Sequence, residues 1–78
     1  MEQTEEWARL IKQAELSNAK IAMFHYIVLS NASQLKHENP KKFTVDVGLK
    51  ESFHAEFSKM IALAKLMDSM GVKLSKSL

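Results

Sequence analysis

Apolar residues recur along this chain at helical spacing, and no stretch alternates with period two for long enough to make a strand. Trp7, Leu10, Ile11 and Ala14 stand at i, i+3, i+4 and i+7, one apolar face of a helix expected over 4–16. Thr4 suits its N-cap, and Glu5 and Glu6 lie where the helix dipole favours carboxylates. Ile21, Phe24, Val28, Ala32 and Leu35 form the stripe of a second helix over 18–36, broadened by Ala22 and Leu29. Ser17-Asn18 offers a break before it, but neither Gly nor Pro divides the two, so separate helices and one bent rod both fit. Asn39-Pro40 pairs an N-cap residue with Pro at the first helical position and opens a short helix over 40–47, which Gly48 ends. The last helix is expected from about 50–52 to 70. Phe53, Phe57, Met60, Ala64 and Met67 repeat as a heptad seam, and Ile61, Leu63, Leu66 and Met70 widen it beyond one face. Gly71 is placed for a left-handed stop with Val72 folding back on Met67, and the tail 73–78 is expected to fray. The pattern predicts one all-α domain over 1–78, of four helices with the last the longest.

Composition adds a reason to expect a second copy. Of 78 residues 46% are hydrophobic, with only two Gly and one Pro, yet a core in so short a chain supplies only about 3–5 kcal/mol of net stability. Some apolar surface is therefore expected between subunits, in a homodimer or partner interface of Trp7, Leu63, Leu66, Met67 and Met70. The lack of Cys removes disulfides and thiolate zinc sites. The N-terminus is acidic where a signal peptide would be basic, and the longest mostly apolar run, 21–29, falls short of the ~20 residues of a membrane span. A cytoplasmic protein with no membrane partner is expected.

The net charge of +2 is uneven: the first sixteen residues balance to −2 and the rest to +4. That polarity suits an acidic partner without demanding one. Ten of the eleven basic residues are Lys, whereas Arg is the better reader of guanine and phosphate, which weighs against tight sequence-specific DNA binding.

The segment 39–66 carries a short helix, a turn led by Gly48-Leu49-Lys50 and a longer helix, with Phe43, Val47, Leu49 and Phe57 placed to pack the two helices together. This segment, including Val47-Gly48-Leu49-Lys50-Glu51-Ser52-Phe53 and Leu63-Ala64-Lys65, resembles small bacterial helix-turn-helix-like proteins. Two departures stand out: Thr44 where the motif prefers Ala four residues before the Gly, and a second helix of unusual length whose later half is apolar nearly all round. The resemblance implies that the last helix enters the DNA major groove by its first turns. Glu51, His54, Ala55, Ser58 and Lys65 would then face outward. Ser52, His54 and Ser58 would reach base edges, and Lys41, Lys42, Lys50 and Lys65 would complete the nucleic-acid-binding set. Glu51 and Glu56 are unhelpful there, because carboxylates repel the DNA backbone. Ordinary solvation of a polar face accounts for the same residues.

Other signals are read both ways. Glu51 and His54 have the Glu-x-x-His spacing of di-iron bundles, but such sites need a second pair and two more carboxylates, so no metal is assigned. His25, between Phe24 and Tyr26, is read as a hydrogen-bonded structural residue. Trp7 serves either the core or a partner surface, and Met60, Met67 and Met70 serve either a homodimer seam or an adaptable partner-binding surface. No phosphate loop, paired carboxylates or nucleophile-base arrangement points to catalysis, a cofactor or a small-molecule substrate. The expectation is a non-enzymatic regulatory protein that binds DNA as a homodimer. The alternative is a protein-binding accessory or inhibitor acting through the Met/Leu-rich surface.

Overall fold

In the computed structural model, which describes residues 2–72, the chain forms α1 (Glu2–Glu15), α2 (Lys20–Ser30), α3 (Ala32–Leu35), α4 (Pro40–Asp46) and α5 (His54–Ser69). A 3₁₀ turn, Glu51–Phe53, leads into α5. The described residues are all-α, with the last helix the longest, as expected, but they form five helices rather than four. The helix expected over 18–36 is divided at Asn31, where the backbone leaves helical geometry at φ −117°, ψ 22°. The Asn31 side-chain amide donates to the Ile27 carbonyl at 2.9 Å, and its backbone N–H donates to the same oxygen at 3.1 Å. A short amide competing for backbone partners in this way is the usual means by which Asn interrupts a helix. The Asn31 carbonyl then accepts from Leu35 N–H at 2.9 Å and starts α3. Thr4 lies inside α1 instead of capping it, because that helix already runs from Glu2.

Three helices stop by the same device. Asn18 (φ 57°), Gly48 (φ 90°) and Gly71 (φ 75°) each adopt the left-handed conformation. The residue after each reaches back to the carbonyl five before it: Ala19 to Ala14 at 2.9 Å, Leu49 to Thr44 at 3.1 Å and Val72 to Met67 at 2.8 Å. These are Schellman stops, which satisfy carbonyls a helix end leaves open. The first makes α1 and α2 separate helices. The N-terminus of α4 is as expected, with Asn39 Oδ1 accepting from Lys42 N–H at 3.0 Å and Pro40 following it. The fraying expected of the tail falls on 73–78, outside the described residues.

These ends fold the apolar faces onto one core. Trp7 and Ile11 from α1, Phe24, Ile27 and Val28 from α2, Leu35 from α3, Phe43 from α4, then Val47, Leu49 and Phe57 pack together in it. Phe43 is its hub, with ring centroids 5.8 Å from Trp7 (edge-on), 6.3 Å from Phe24 (stacked) and 5.2 Å from Phe57 (tilted). Such aromatic pairs add about 0.5–1.5 kcal/mol each beyond burial. Trp7, only 3% exposed, is committed to this cluster. Its expected place in a dimer or partner interface is corrected: a ring packed edge-on against Phe43 leaves no surface for another chain.

Candidate nucleic-acid interface

The α4–turn–α5 unit is held from inside by the residues assigned to that task. Phe43, Val47, Leu49 and Phe57 are all buried. Thr44, the departure from the preferred Ala, is fully buried as well, and its hydroxyl donates to the Pro40 carbonyl at 2.7 Å. A threonine therefore fits the crossing with its one polar atom satisfied, which removes the penalty of a buried orphan hydroxyl. Gly48 meets no neighbour within 4 Å of where a Cβ would stand, so the turn needs glycine for its φ and not for space.

Outside this frame, the polar residues divide by exposure. Lys41, Lys42, Lys50, Glu51, Ser52, Ala55, Ser58 and Lys65 are exposed. His54, expected to face outward, is half-buried. It shares the i, i+3, i+7 face of Phe57 and Ile61, and Phe57 turns that face inward. Ser58 joins Phe57, Ile61, Lys36, Glu38 and Pro40 around a depression of about 260 Å³ between the α3–α4 connection and α5. That volume falls below the usual range of a ligand pocket, about 300 Å³ or more. Lys36 was absent from the sequence-derived set; only its place just before Asn39-Pro40 hinted that it would lie near α5. Lys65 lies seven residues, or about 10 Å of helix, beyond Ser58.

Ion pairs decide which charges stay available. Lys42 donates to Asp46 Oδ2 at 2.8 Å, and that hydrogen bond and charge raise the ammonium pKa above its ordinary value. Glu56, the carboxylate expected to oppose DNA, is held elsewhere. His25 Nε2 on α2 lies 2.8 Å from Glu56 Oε1, and Lys59 Nζ donates to Oε2 at 3.2 Å. The hydrogen bond to His25, then that from Lys59, pull the Glu56 pKa below its ordinary value. A carboxylate is acceptor-only, so the imidazole donates from Nε2. His25 is thus the structural, hydrogen-bonded residue its surroundings suggested, linking α2 to α5. Among the described residues from 36 onward, Lys36, Lys41, Lys50 and Lys65 remain without an ion-pair partner, against Glu38, Glu51 and Asp68.

The later half of α5 differs in kind. Leu63 is 38%, Leu66 55% and Met70 68% exposed, while Met67 is half-buried. Among the described residues no three His, Asp or Glu side chains are grouped to hold a metal ion. No helix among them is long and apolar enough to cross a membrane.

A buried two-helix frame around a Gly48 turn, with a longer second helix presenting polar first turns, defines a helix-turn-helix-like protein. Residues 4–70 match the family of HTH-like domains, and the chain belongs to that family. The match takes in α1 to α3 as well as the two-helix unit, so the whole aromatic core is part of the family fold. No curated protein and no solved structure matches the chain.

Proposed function

We propose that this protein is a non-catalytic, DNA-binding regulator that acts as a homodimer, with the first turns of α5 in the major groove. The observation that carries the reading is the pairing of a closed α4–turn–α5 frame with an exposed small-residue approach of Ser52, Ala55 and Ser58, on a unit that also exposes Lys41 and Lys50. Small side chains let the helix come close to base edges, where hydroxyl groups accept or donate. Lys41 and Lys50 meet phosphates. Lys42 contributes less, because Asp46 already holds its ammonium and brings a negative charge with it. His54 is a secondary reader, being half-buried. Lys65 meets phosphate farther along the groove. Leu63, Leu66, Met67 and Met70 supply the dimer contact.

Fluorescence anisotropy with mixed genomic DNA fragments at 50 and 200 mM salt tests this. Six phosphate contacts per dimer, from Lys41, Lys50 and Lys65, give a slope of log affinity against log salt of roughly −5.4 at about 0.9 per contact. Lys50→Ala is expected to weaken binding to all sequences alike and to flatten that slope. Ser58→Ala is expected to change preference among sites by about 1–3 kcal/mol. Absence of binding at 50 mM salt overturns the DNA reading in favour of a protein partner on the exposed Leu63, Leu66 and Met70 surface.

A further inference from the structure

The exposed apolar residues of α5 form a band with a definite centre. At about 100° per residue, Leu63, Leu66 and Met70 fall within about 60° of one another around the helix, with Leu66 midway along it. From residue 60 to residue 72 no charged side chain falls on that band; Lys65 and Asp68 lie on the far side. A two-fold axis brings a face against its own copy, so a face used this way must not carry uncompensated charge. Lys59 is the nearest cation in line with the band, one to two turns N-terminal to Leu63–Leu66; its ion pair with Glu56 at 3.2 Å offsets only part of its charge, because the lysine side chain is 67% exposed. Parallel pairing of two such helices sets Lys59 directly against Lys59. Antiparallel pairing about Leu66 separates the two by about 20 Å along the helices and seats each Met70 over the exposed, small Ala62 of the other copy. Charge and shape favour the same orientation.

We propose that the later half of α5 pairs with the same segment of a second copy, antiparallel about a two-fold axis through Leu66, and so sets the two first turns of α5 one turn of B-DNA apart. This rests on the homodimer part of the reading above and fixes its geometry. Eleven residues separate Ala55 from Leu66, about 16 Å of helix, so two copies place their Ala55 positions about 33 Å apart along the axes. An interaxial offset of about 8–10 Å brings the separation to about 34 Å. Half-sites read by two-fold helix-turn-helix dimers lie about 34–36 Å apart. The faces agree as well: Ala55 and Ser58 centre about a quarter turn around α5 from the apolar band. In a two-fold pair both reading faces then point to one side, along the axis. The band is small. Leu63, Leu66, Met70 and Val72 leave on the order of 400 Å² of apolar surface per chain, within the range of a single monomer patch and short of the ~600 Å² per partner at the lower bound for stable interfaces. The dimer therefore dissociates readily when dilute and is held together by engaging two half-sites at once.

The chain has no Cys, so Ala55→Cys allows a nitroxide label at one exposed site, and dipolar electron resonance reads the distance between labels in the full chain at high concentration. The expected result is a distribution centred near 34 Å that disappears in the Ala55→Cys, Leu66→Glu double variant. Leu66 is mostly outside the core, so that variant keeps its helical circular dichroism spectrum. A separation below about 20 Å means parallel pairing and overturns the proposal. So does a 34 Å distribution that survives Leu66→Glu, or no coupling at millimolar chain. DNA binding is measured on the unlabelled parent, because a nitroxide at residue 55 would block the reading face: labelled chains that pair in this way while the parent binds no mixed DNA fragments sink the DNA reading and leave the dimer geometry standing; a parent that binds DNA while the labelled chains show no interlabel distance does the reverse.

Discussion

The two halves of α5 have similar hydrophobic content and opposite fates. Around its first turns, Phe57 is buried against Phe43, and Glu56 is tied across to His25 on α2. Beyond Ile61, Leu66 and Met70 stand more than half exposed, although they are as apolar as anything in the core. The difference is one of reach: α2, α3 and α4 supply enough surface to cover one end of a sixteen-residue helix and run out before the other. A small domain cannot enclose every apolar residue it carries. The covered half makes the fold, and the uncovered half stays outside the core.

Truncating one residue in each half is expected to have very different consequences. Phe43→Ala removes the ring that Trp7, Phe24 and Phe57 all touch, at an expected cost of about 3–5 kcal/mol, which is as much as a domain of this size has to lose. Urea titration followed by circular dichroism is expected to find it largely unfolded without denaturant. Leu66→Ala, equally apolar on paper, is expected to move stability by no more than about 0.5 kcal/mol at dilutions where the chain is monomeric. A large loss there means that the later half of α5 is part of the fold after all.

Much of this was legible in the residues. Phe43, Val47, Leu49 and Phe57 could be placed in the core because a short capped helix, a Gly-led turn and a helical stripe leave few other arrangements. Gly71 and Val72 behave as their positions suggested, since a left-handed stop depends on local backbone preference. Asn31 was not legible as a break: what interrupts the helix is a side-chain amide turned back on the Ile27 carbonyl, and nothing in the apolar spacing distinguishes it from a solvated Asn. Trp7 could not be assigned between core and surface, because a one-dimensional pattern does not say which of several apolar faces finds cover. At the candidate interface the residue types were readable, but the pairing of Lys42 with Asp46 and of Glu56 with His25 was not. The first joins neighbours on one helix, and the second joins residues 31 positions apart.

A smaller loss is expected at the turn between the covered frame and α5. Gly48→Ala meets no atom within 4 Å, so any loss is the price of holding an L-residue at φ 90°, expected at about 1–2 kcal/mol. Thermal denaturation measures it directly. If the variant is neutral, the turn has another conformation available and the angle between α4 and α5 is less fixed than its buried contacts imply. The expected loss, with helix content unchanged below the transition, marks Gly48 as setting that angle by backbone alone.

The smallest effect belongs to the tie between α2 and the first turns of α5. Hydrogen bonds from His25 and Lys59 lower the Glu56 pKa from its ordinary 4.5, so the folded chain gives up that proton more readily than the unfolded one. Below the lowered value both states hold the proton and the tie contributes nothing. As pH rises through the window beneath about 4.5 the unfolded state binds more protons, and stability climbs. Above pH 5 the contribution is complete and flat with respect to this group. Glu56→Gln keeps a side chain of the same shape while removing the charge, so its thermal midpoint is expected to fall below that of the parent at pH 6. The two are expected to converge as pH drops through 4 toward 3. Because Glu56 retains 27% of its side-chain exposure, water and salt screen the pair, and the gap is expected to be small and to narrow further at high salt. A gap that stays constant from pH 6 to pH 3 means that the glutamine acts through packing, and that the carboxylate does not hold α2 to α5. The covered half of the helix would then rest on the apolar contacts of Phe57, Met60 and Ile61 with the core.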